Sequence, residues 1–431
     1  MKIYLDSIGC RLNQSEIELY ARQFRAAGHT LVATPNEAEL AVINTCNVTH
    51  AAESDSRSKI RQIVRAGAKD TVVTGCWSTL NPEDALSLTG VSQVVPNADK
   101  DRLVSNLLKI PQEIFDLEPV SRVLIPGTRQ RTRAFIKVQD GCDNRCTFCI
   151  TTIARGSGRS RSEEEVLADV RSALVSNSYP DSAAKEIILT GVHLGSWGQD
   201  LSPSLRIRHL VEKILTETEV PRLRLSSLEP WDLDADFFTL FEDTRLCRHL
   251  HLPLQSGSTA TLRRMARKTN PTAFADLLIS ARNACPEIAI TTDLIAGFPG
   301  ETEQEFYETL DFVKEMNFAG GHVFTFSPRP GTAAAEMPEQ IPFQLRKERN
   351  AKLRDLLTES GQAYQFRFLD STQLVLWESA TLSNSKLWQL RGLTDNYLRV
   401  SAQSTNNLWN MITPVQLTSN SSGEIEGQIV N

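Results

Sequence analysis

Apolar positions in the first hundred residues fall into short continuous runs, separated by stretches with helical period. Residues 2–8 predict a strand that ends at Gly9-Cys10. Beyond it Ile17, Leu19, Tyr20 and Phe24 recur on one face, which predicts a helix capped by Ser15 and stopped at Gly28. Leu40–Asn44 predicts a second strand ending at Thr45-Cys46, and a polar helix follows over His50–Arg65. Thr71–Thr74 predicts a third strand ending at Gly75-Cys76, and Val91–Leu108 adds a last strand and helix. Strands that alternate with helices imply an α/β fold with a mostly parallel sheet.

The alternation resumes at Phe135. Strands are expected over 135–140, 186–192, 222–228, 249–255, 288–295 and 321–326, with helices near 162–176, 205–217, 234–242, 272–284 and 303–316. Six such units suit a partial (β/α)6 barrel better than a doubly wound sheet. In barrels the carboxyl ends of the strands carry the chemistry. Here those ends are glycine-marked, as in TGVHLGSWG (190–198), LPLQSGS (252–258) and TTDLIAGFPGET (291–302). A long polar helix, 342–368, leaves the barrel, and four short β-like runs (372–377, 387–392, 397–402, 413–418) predict a small β-barrel. The expected division is therefore 1–118, a linker over 119–133, a barrel over 134–368, and a β-rich tail over 369–431.

Composition adds little to that plan. Hydrophobic residues at 41% and charged residues at 23% are ordinary for a soluble globular chain. The start, MKIYLDSIGC, holds no apolar leader core, and no run approaches the ~20 apolar residues of a spanning helix. A cytoplasmic protein without a membrane segment is the expectation.

Charge changes the picture more. The net charge of −6 argues against a simple polyanion binder, but its distribution does not. Nine basic residues between Arg122 and Arg161 face only Asp140 and Asp143, and Arg263, Arg264, Arg267 and Lys268 form a second cluster. Because the larger patch surrounds a cysteine loop, a phosphate-bearing substrate is favoured over a solvated face. Arg129, Arg131, Arg133, Arg155, Arg159, Arg161, Arg263 and Arg264 are the candidate phosphate contacts.

That loop carries Cys142, Cys146 and Cys149, spaced C-x3-C-x2-C, directly after the strand-like run Phe135–Val138. Three thiolates on one short loop can hold three irons of a four-iron cubane and leave the fourth open to a ligand. Structural zinc would ask for a fourth protein ligand, and none stands nearby. Disulfides are disfavoured in a reducing compartment. Cys10, Cys46 and Cys76 form a second trio, each at the carboxyl end of an expected parallel strand, the edge at which open α/β sheets bind ligands. Singly, each reads as a small buried hydrophobe; in register, they read as a second metal site. Cys247 and Cys285 are expected to be buried apolar residues.

The cysteine loop resembles that of the radical S-adenosylmethionine (SAM) superfamily. With both trios and the β-rich tail, the whole chain is similar to that superfamily's methylthiotransferases, most of all those acting on threonylcarbamoyladenosine in tRNA. VINTCNVT (42–49), VTGCWS (73–78), IKVQDGC (136–142), ARGSGRSR (154–161), HLHLPLQSGS (249–258) and LTDNYLRV (393–400) carry the likeness. The resemblance implies a C-terminal TRAM domain, an auxiliary [4Fe–4S] cluster on Cys10, Cys46 and Cys76, and a SAM-binding [4Fe–4S] cluster on Cys142, Cys146 and Cys149. It places Phe148 near the adenine, Gly191 near the amino-acid moiety of SAM, and Gln255 and Ile295 to Gly297 near its ribose and adenine.

The implied reaction replaces the C2 hydrogen of a hypermodified adenosine, immediately 3′ of the anticodon, with a methylthio group. One SAM would be cleaved to a 5′-deoxyadenosyl radical, and a second would methylate the sulfur. The implied partners are the tRNA anticodon stem-loop, an electron donor such as flavodoxin or ferredoxin, and a sulfur source, with the enzyme a monomer. Two alternatives stand beside this: the same chemistry on a ribosomal-protein aspartate, and a non-catalytic iron–sulfur RNA-binding protein. The tail is weakly basic for an RNA grip, since 370–431 holds Lys386, Arg391 and Arg399 against five carboxylates. Trp377, Trp388, Tyr397 and Trp409 are candidates either to stack on bases or to form its core.

Overall fold

A computed structural model describes residues 1–112, 115, 125–126, 132–176, 182–421 and 423–430. The chain divides into two compact units. The first holds Met1–Asn144, Cys149–Ala183 and Thr190–Val192, and the second holds Arg145–Phe148, Ala184–Leu189 and His193–Asn431.

In the first unit, β1 (Lys2–Ser7), β2 (Thr30–Leu31), β3 (Leu40–Thr45), β4 (Thr71–Gly75) and β5 (Val91–Val95) form an all-parallel sheet in the order β2-β1-β3-β4-β5. Strands β3 and β4 are buried along their full length, as the continuous apolar runs predict for a sheet covered on both faces. Helix α1 (Arg11–Ala26) packs Tyr20 and Phe24 into one core with Ile3 and Val42, and α2 (His50–Arg65) packs Ile60 and Ile63 into another with Ile43 and Val73. Thr49 caps α2 by accepting from the Ala52 amide.

One boundary differs from expectation. Helix α1 starts four residues before Ser15, with Cys10 at its N-cap position. Ser15 is buried inside the helix, where its Oγ accepts the backbone N–H of Lys137 at 3.0 Å. Serine favours caps because its oxygen satisfies a free amide; this amide belongs to a residue 122 positions away.

Three short helices complete the part of this unit that matters: α3 (Cys76–Leu80), α4 (Pro82–Leu86) and α5 (Leu103–Leu108). Strand β6 (Arg133–Lys137) leads through β7 (Gln139–Asp140) to the cysteine loop and then α6 (Ile150–Arg155). Strand β8 (Arg159–Ser160) pairs with β7, and α7 (Glu163–Leu174) follows with a Ser162–Glu165 capping box.

In the second unit, parallel strands Glu186–Thr190, Leu223–Leu225, His249–His251, Ala289–Ala296 and Gly320–Thr325 follow one another in chain order. Parallel bridges Leu223–Leu246 and Ser227–His251 join the second to the third. Two expected strands are shorter than their apolar runs, and 234–242 forms a 3-10 turn over Ala235–Glu242 rather than an α-helix. Phe343–Phe366 is the long helix.

The tail is a closed barrel of five strands, not four: Thr372–Leu382, Trp388–Thr394, Arg399–Ser404, Ile412–Ser421 and Glu424–Ile429. The fifth, Glu424–Ile429, follows the polar 418–423 stretch, and hairpin pairing with Ile412–Ser421 supplies what apolar alternation does not. The linker region 119–133 lies largely outside the described residues. Among those described, no helix is long and apolar enough to cross a membrane.

Candidate functional site

The sheet register brings the first cysteine trio together. Thr45 of β3 pairs with Gly75 of β4, so Cys46 and Cys76 each follow one member of a registered pair. Ser7 of β1 pairs with Asn44 of β3, placing Gly9-Cys10 beside the same edge. Two glycines make the approach possible. Gly9 has φ +105°, and a Cβ there would lie 2.7 Å from the Cys46 sulfur. Gly75 has φ +99°, and its missing Cβ would overlap the Thr45 backbone. Ser56 of α2 holds Cys46 at both ends, accepting its amide and donating to its carbonyl, each at 3.0 Å. Burial pushes the Cys46 thiol up to about 11, and nearby Cys10 and Cys76 add to the rise.

The same trio meets a buried charge network. Arg155, the last residue of α6, is 4% exposed and points Nε at the Cys76 sulfur, 3.4 Å away. Its Nη1 donates to Glu16 at 3.1 Å and Asp140 at 2.9 Å, and its Nη2 to Asn13 Oδ1 at 2.8 Å. Asn13 Oδ1 also faces the Cys10 sulfur at 3.7 Å, while its amide nitrogen donates to the carbonyls of Ile8 and Thr45. Asn97 Nδ2 lies 3.8 Å from the Cys76 sulfur. Lys100 Nζ sits 2.6 Å from both Glu16 and Asp140, and Lys137 lies within 4 Å of both. Burial alone would raise the Glu16 and Asp140 carboxyls, but these three cations hold both well below the usual carboxylate range.

This surrounding tests whether an anionic metal centre fits. Three buried cations, Lys100, Lys137 and Arg155, face two buried carboxylates, Glu16 and Asp140; the half-exposed Asp101 reaches only Lys137. Of these cations Arg155 lies against the Cys76 sulfur, which suits a thiolate bound to iron. Among the described residues no three Cys, His, Asp or Glu side chains converge on a single-ion position. A four-iron cubane instead takes its thiolates on separate irons. The donor set fits a cubane with one open iron.

The second trio divides between the units, Cys142 and Cys149 in the first and Cys146 in the second. In the first unit, the Cys142 amide donates to Gly156 at 2.9 Å, its sulfur accepts the Asn144 amide at 3.4 Å, and Cys149 is the N-cap of α6. Gly191 belongs there too, and a Cβ on it would meet Gln139 Oε1 at 3.0 Å. In the second unit, Arg267 Nη1 reaches the Cys146 sulfur at 3.8 Å. Phe148 meets Phe298 edge to face, with centroids 6.5 Å apart, and packs with Ile295 against Met265 and Phe326. Gln255, at φ +73°, accepts the Ile295 amide through its carbonyl at 2.9 Å. Gly297 leaves no room for a side chain against Arg346. Four of the five proposed SAM neighbours, Phe148, Gln255, Ile295 and Gly297, thus occupy one region of the second unit.

The candidate phosphate contacts fare unevenly. Arg155 is interior and serves the buried network, so it is unavailable to a phosphate. Arg161 pairs with Asp169 at 2.7 Å, and Arg264 is ion-paired with Glu305. Arg159 and Arg263 are exposed, Arg133 is half-buried, and Arg129 and Arg131 lie outside the described residues. In the tail, Trp377 is fully buried, and Tyr397 stacks on His249 with centroids 4.1 Å apart. Cys247 and Cys285 are buried as expected. Glu16, Asn13, Lys100 and Glu229 escaped the sequence reading, because no spacing ties them to the cysteines.

Comparison with known proteins shows the family of the chain. Residues 2–96 match the uncharacterized protein family UPF0004, and residues 136–313 match the radical SAM superfamily. The chain is 34% identical to the threonylcarbamoyladenosine tRNA methylthiotransferase MtaB of Bacillus subtilis, over 98% of this chain and 95% of that one. It is 28% identical to the tRNA-2-methylthio-N(6)-dimethylallyladenosine synthase of Ehrlichia chaffeensis, over 100% and 99%. Among solved structures it resembles the radical SAM methyltransferase TsrM of Kitasatospora setae, with TM-score 0.58, 13% identity and coverage of 78% and 77%, a likeness of fold.

Proposed function

Because the chain belongs to the MtaB-type tRNA methylthiotransferases of the radical SAM superfamily, we propose that it converts N6-threonylcarbamoyladenosine, immediately 3′ of the anticodon, to its 2-methylthio derivative. Two [4Fe–4S] clusters and SAM are its cofactors. Cys142, Cys146 and Cys149 would hold the SAM-binding cluster, and Cys10, Cys46 and Cys76 the auxiliary one. When bound, these groups supply one-electron reduction, radical cleavage of an unactivated C–H bond, and an open iron at which sulfur can be handed over.

The protein's own part is placement. The C2–H bond of the adenine is aromatic and not acidic, so no side-chain base can remove that proton at a useful rate. Phe148, supported by Phe298, presents an apolar face where a purine would lie. The Gln255–Ile295 backbone pair holds a fixed rim beside it. Arg155 and Arg267 hold positive charge against cysteine sulfur. Exposed Arg159 and Arg263 are the phosphate contacts, and the anticodon loop is a favourable target because its bases can be splayed out. The enzyme works in the cytoplasm as a monomer, takes electrons from a flavodoxin or ferredoxin, and draws on an external sulfur source.

One observation carries the reading beyond a generic radical SAM reaction: Cys10, Cys46 and Cys76 meet at one sheet edge, with the buried guanidinium of Arg155 against the Cys76 sulfur. A plain SAM-dependent C–H reaction has no use for that second trio. The ribosomal-protein substrate gains no support, since the curated relatives at 34% and 35% identity are named as tRNA enzymes. Mass spectrometry of tRNA nucleosides from a deletion strain and its complemented partner tests the assignment. Loss and restoration of 2-methylthio-N6-threonylcarbamoyladenosine is the expected result, and an unchanged level in the deletion strain overturns it.

A further inference from the structure

The last residue of α6 lies against one cysteine trio while the residue capping its start belongs to the other. Helix α6 spans six residues, about 9 Å at 1.5 Å per residue. Its N-cap is Cys149, and its last residue is Arg155, with Nε 3.4 Å from the Cys76 sulfur. The guanidinium is held from every side: Glu16 and Asp140 accept from Nη1, and Asn13 accepts from Nη2. Nε is the N–H directed at the Cys76 sulfur. A surface arginine could swing away from this position, but this one is buried and fixed by three acceptors.

We propose that Arg155 is a positioning residue for the Cys10–Cys46–Cys76 centre, and that its Nε–H, directed at the Cys76 sulfur, sets that centre's reduction potential. This rests on the assignment of an iron–sulfur cluster to that trio. Hydrogen bonds and positive charge at cysteine sulfur stabilise the extra electron of a reduced cluster, so they raise its potential. Asn97 Nδ2, 3.8 Å from the same sulfur, acts in the same direction. The Cys76 sulfur carries a fixed cation, whereas Asn13 turns only its acceptor oxygen toward the Cys10 sulfur. The cation at Cys76 keeps the auxiliary centre more easily reduced than thiolate ligation alone would.

The test uses full-length protein, reconstituted anaerobically, in which Cys142, Cys146 and Cys149 are all replaced by alanine so that one centre remains. Potentiometric titration followed by electron paramagnetic resonance then reads a single midpoint. Arg155→Lys keeps the charge and loses the directed Nε–H; Arg155→Gln loses both. Both variants should retain the iron content of their parent. The Gln variant should be reduced about tenfold less favourably, or about 59 mV lower for one electron, with the Lys variant between. Midpoints at the parental value in both variants overturn the proposal, as does a loss of iron in both without a shift, which would make Arg155 a purely structural residue. Should the Gln variant fail to fold, the Lys variant decides alone. A parent that holds no iron refutes instead the assignment of a cluster to Cys10, Cys46 and Cys76, a separate failure.

Discussion

Arg267 and Cys146 meet inside the second unit, with Nη1 of the one 3.8 Å from the sulfur of the other. The guanidinium has no freedom to leave. Glu229 accepts from both of its terminal nitrogens at 3.0 and 2.6 Å, the Pro253 carbonyl accepts at 2.7 Å, and the Trp231 ring lies 4.6 Å from its central carbon. The Arg155–Cys76 pair in the first unit follows the same logic, a carboxylate-anchored arginine turned toward a cysteine. In each unit, the acidic partner is far in sequence from the sulfur.

Glu229→Gln should therefore destabilise the protein more than an ordinary surface substitution. The Arg267 side chain is 1% exposed, and breaking one side of a buried pair costs about 3 kcal/mol. Chemical denaturation of the wild type and the variant checks this; a loss below about 1 kcal/mol, typical of an exposed pair, would count against the pairing.

The two cysteine trios should separate by function. Cys142→Ala should abolish reductive SAM cleavage, measured as 5′-deoxyadenosine, whereas Cys10→Ala should spare cleavage and stop sulfur transfer. Iron should fall from about eight per chain toward about four in either variant, since a cubane holds four. Equal loss of cleavage in both variants would show that the division of labour is wrong.

Asp169 should be one source of acid sensitivity in the first unit, beside the depressed Glu16 and Asp140 carboxyls. Asp169 lies 2.7 Å from both Arg22 and Arg161. Burial would raise its carboxyl, but those two guanidiniums bring it down to about 2 from its ordinary 3.8. A depressed carboxylate contributes stability that is full above the unfolded value and is lost as pH falls through the folded one, here from about pH 4 to about pH 2. Asp169→Asn should cost about 2 kcal/mol at neutral pH and reduce the slope of the stability profile across that window, with Glu16 supplying the rest. Urea midpoints from pH 2 to pH 7 measure both; a variant that keeps the wild-type slope would refute the assignment.

Phosphate contact predicts a salt signature. Arg159→Ala and Arg263→Ala should each weaken tRNA binding and reduce the slope of log affinity against log salt by somewhat under one unit. Arg161→Ala should leave that slope unchanged and lower stability, because its guanidinium is committed to Asp169. Filter binding over a range of salt distinguishes these outcomes.

Local signals made much of this protein legible. Continuous apolar runs marked β3 and β4, the polar helix over His50–Arg65 stands at its expected bounds, and each member of the first trio follows a strand end. These features depend on neighbours within a few residues, where period and turn chemistry act. The fifth tail strand escaped because hairpin pairing, not alternation, creates it. Ser15 was misplaced because its partner, the Lys137 amide, is supplied by another element.

The linear order of residues determined by itself which cysteines end parallel strands, since a strand's end and the glycine after it are written within ten residues. Which arginines face inward was decided only by the folded molecule. Glu16, Lys100, Asp140 and Arg155 are spread over 140 positions and meet in one buried cluster. A charge is interior only where opposite charges offset its desolvation, and that condition exists once distant segments have packed.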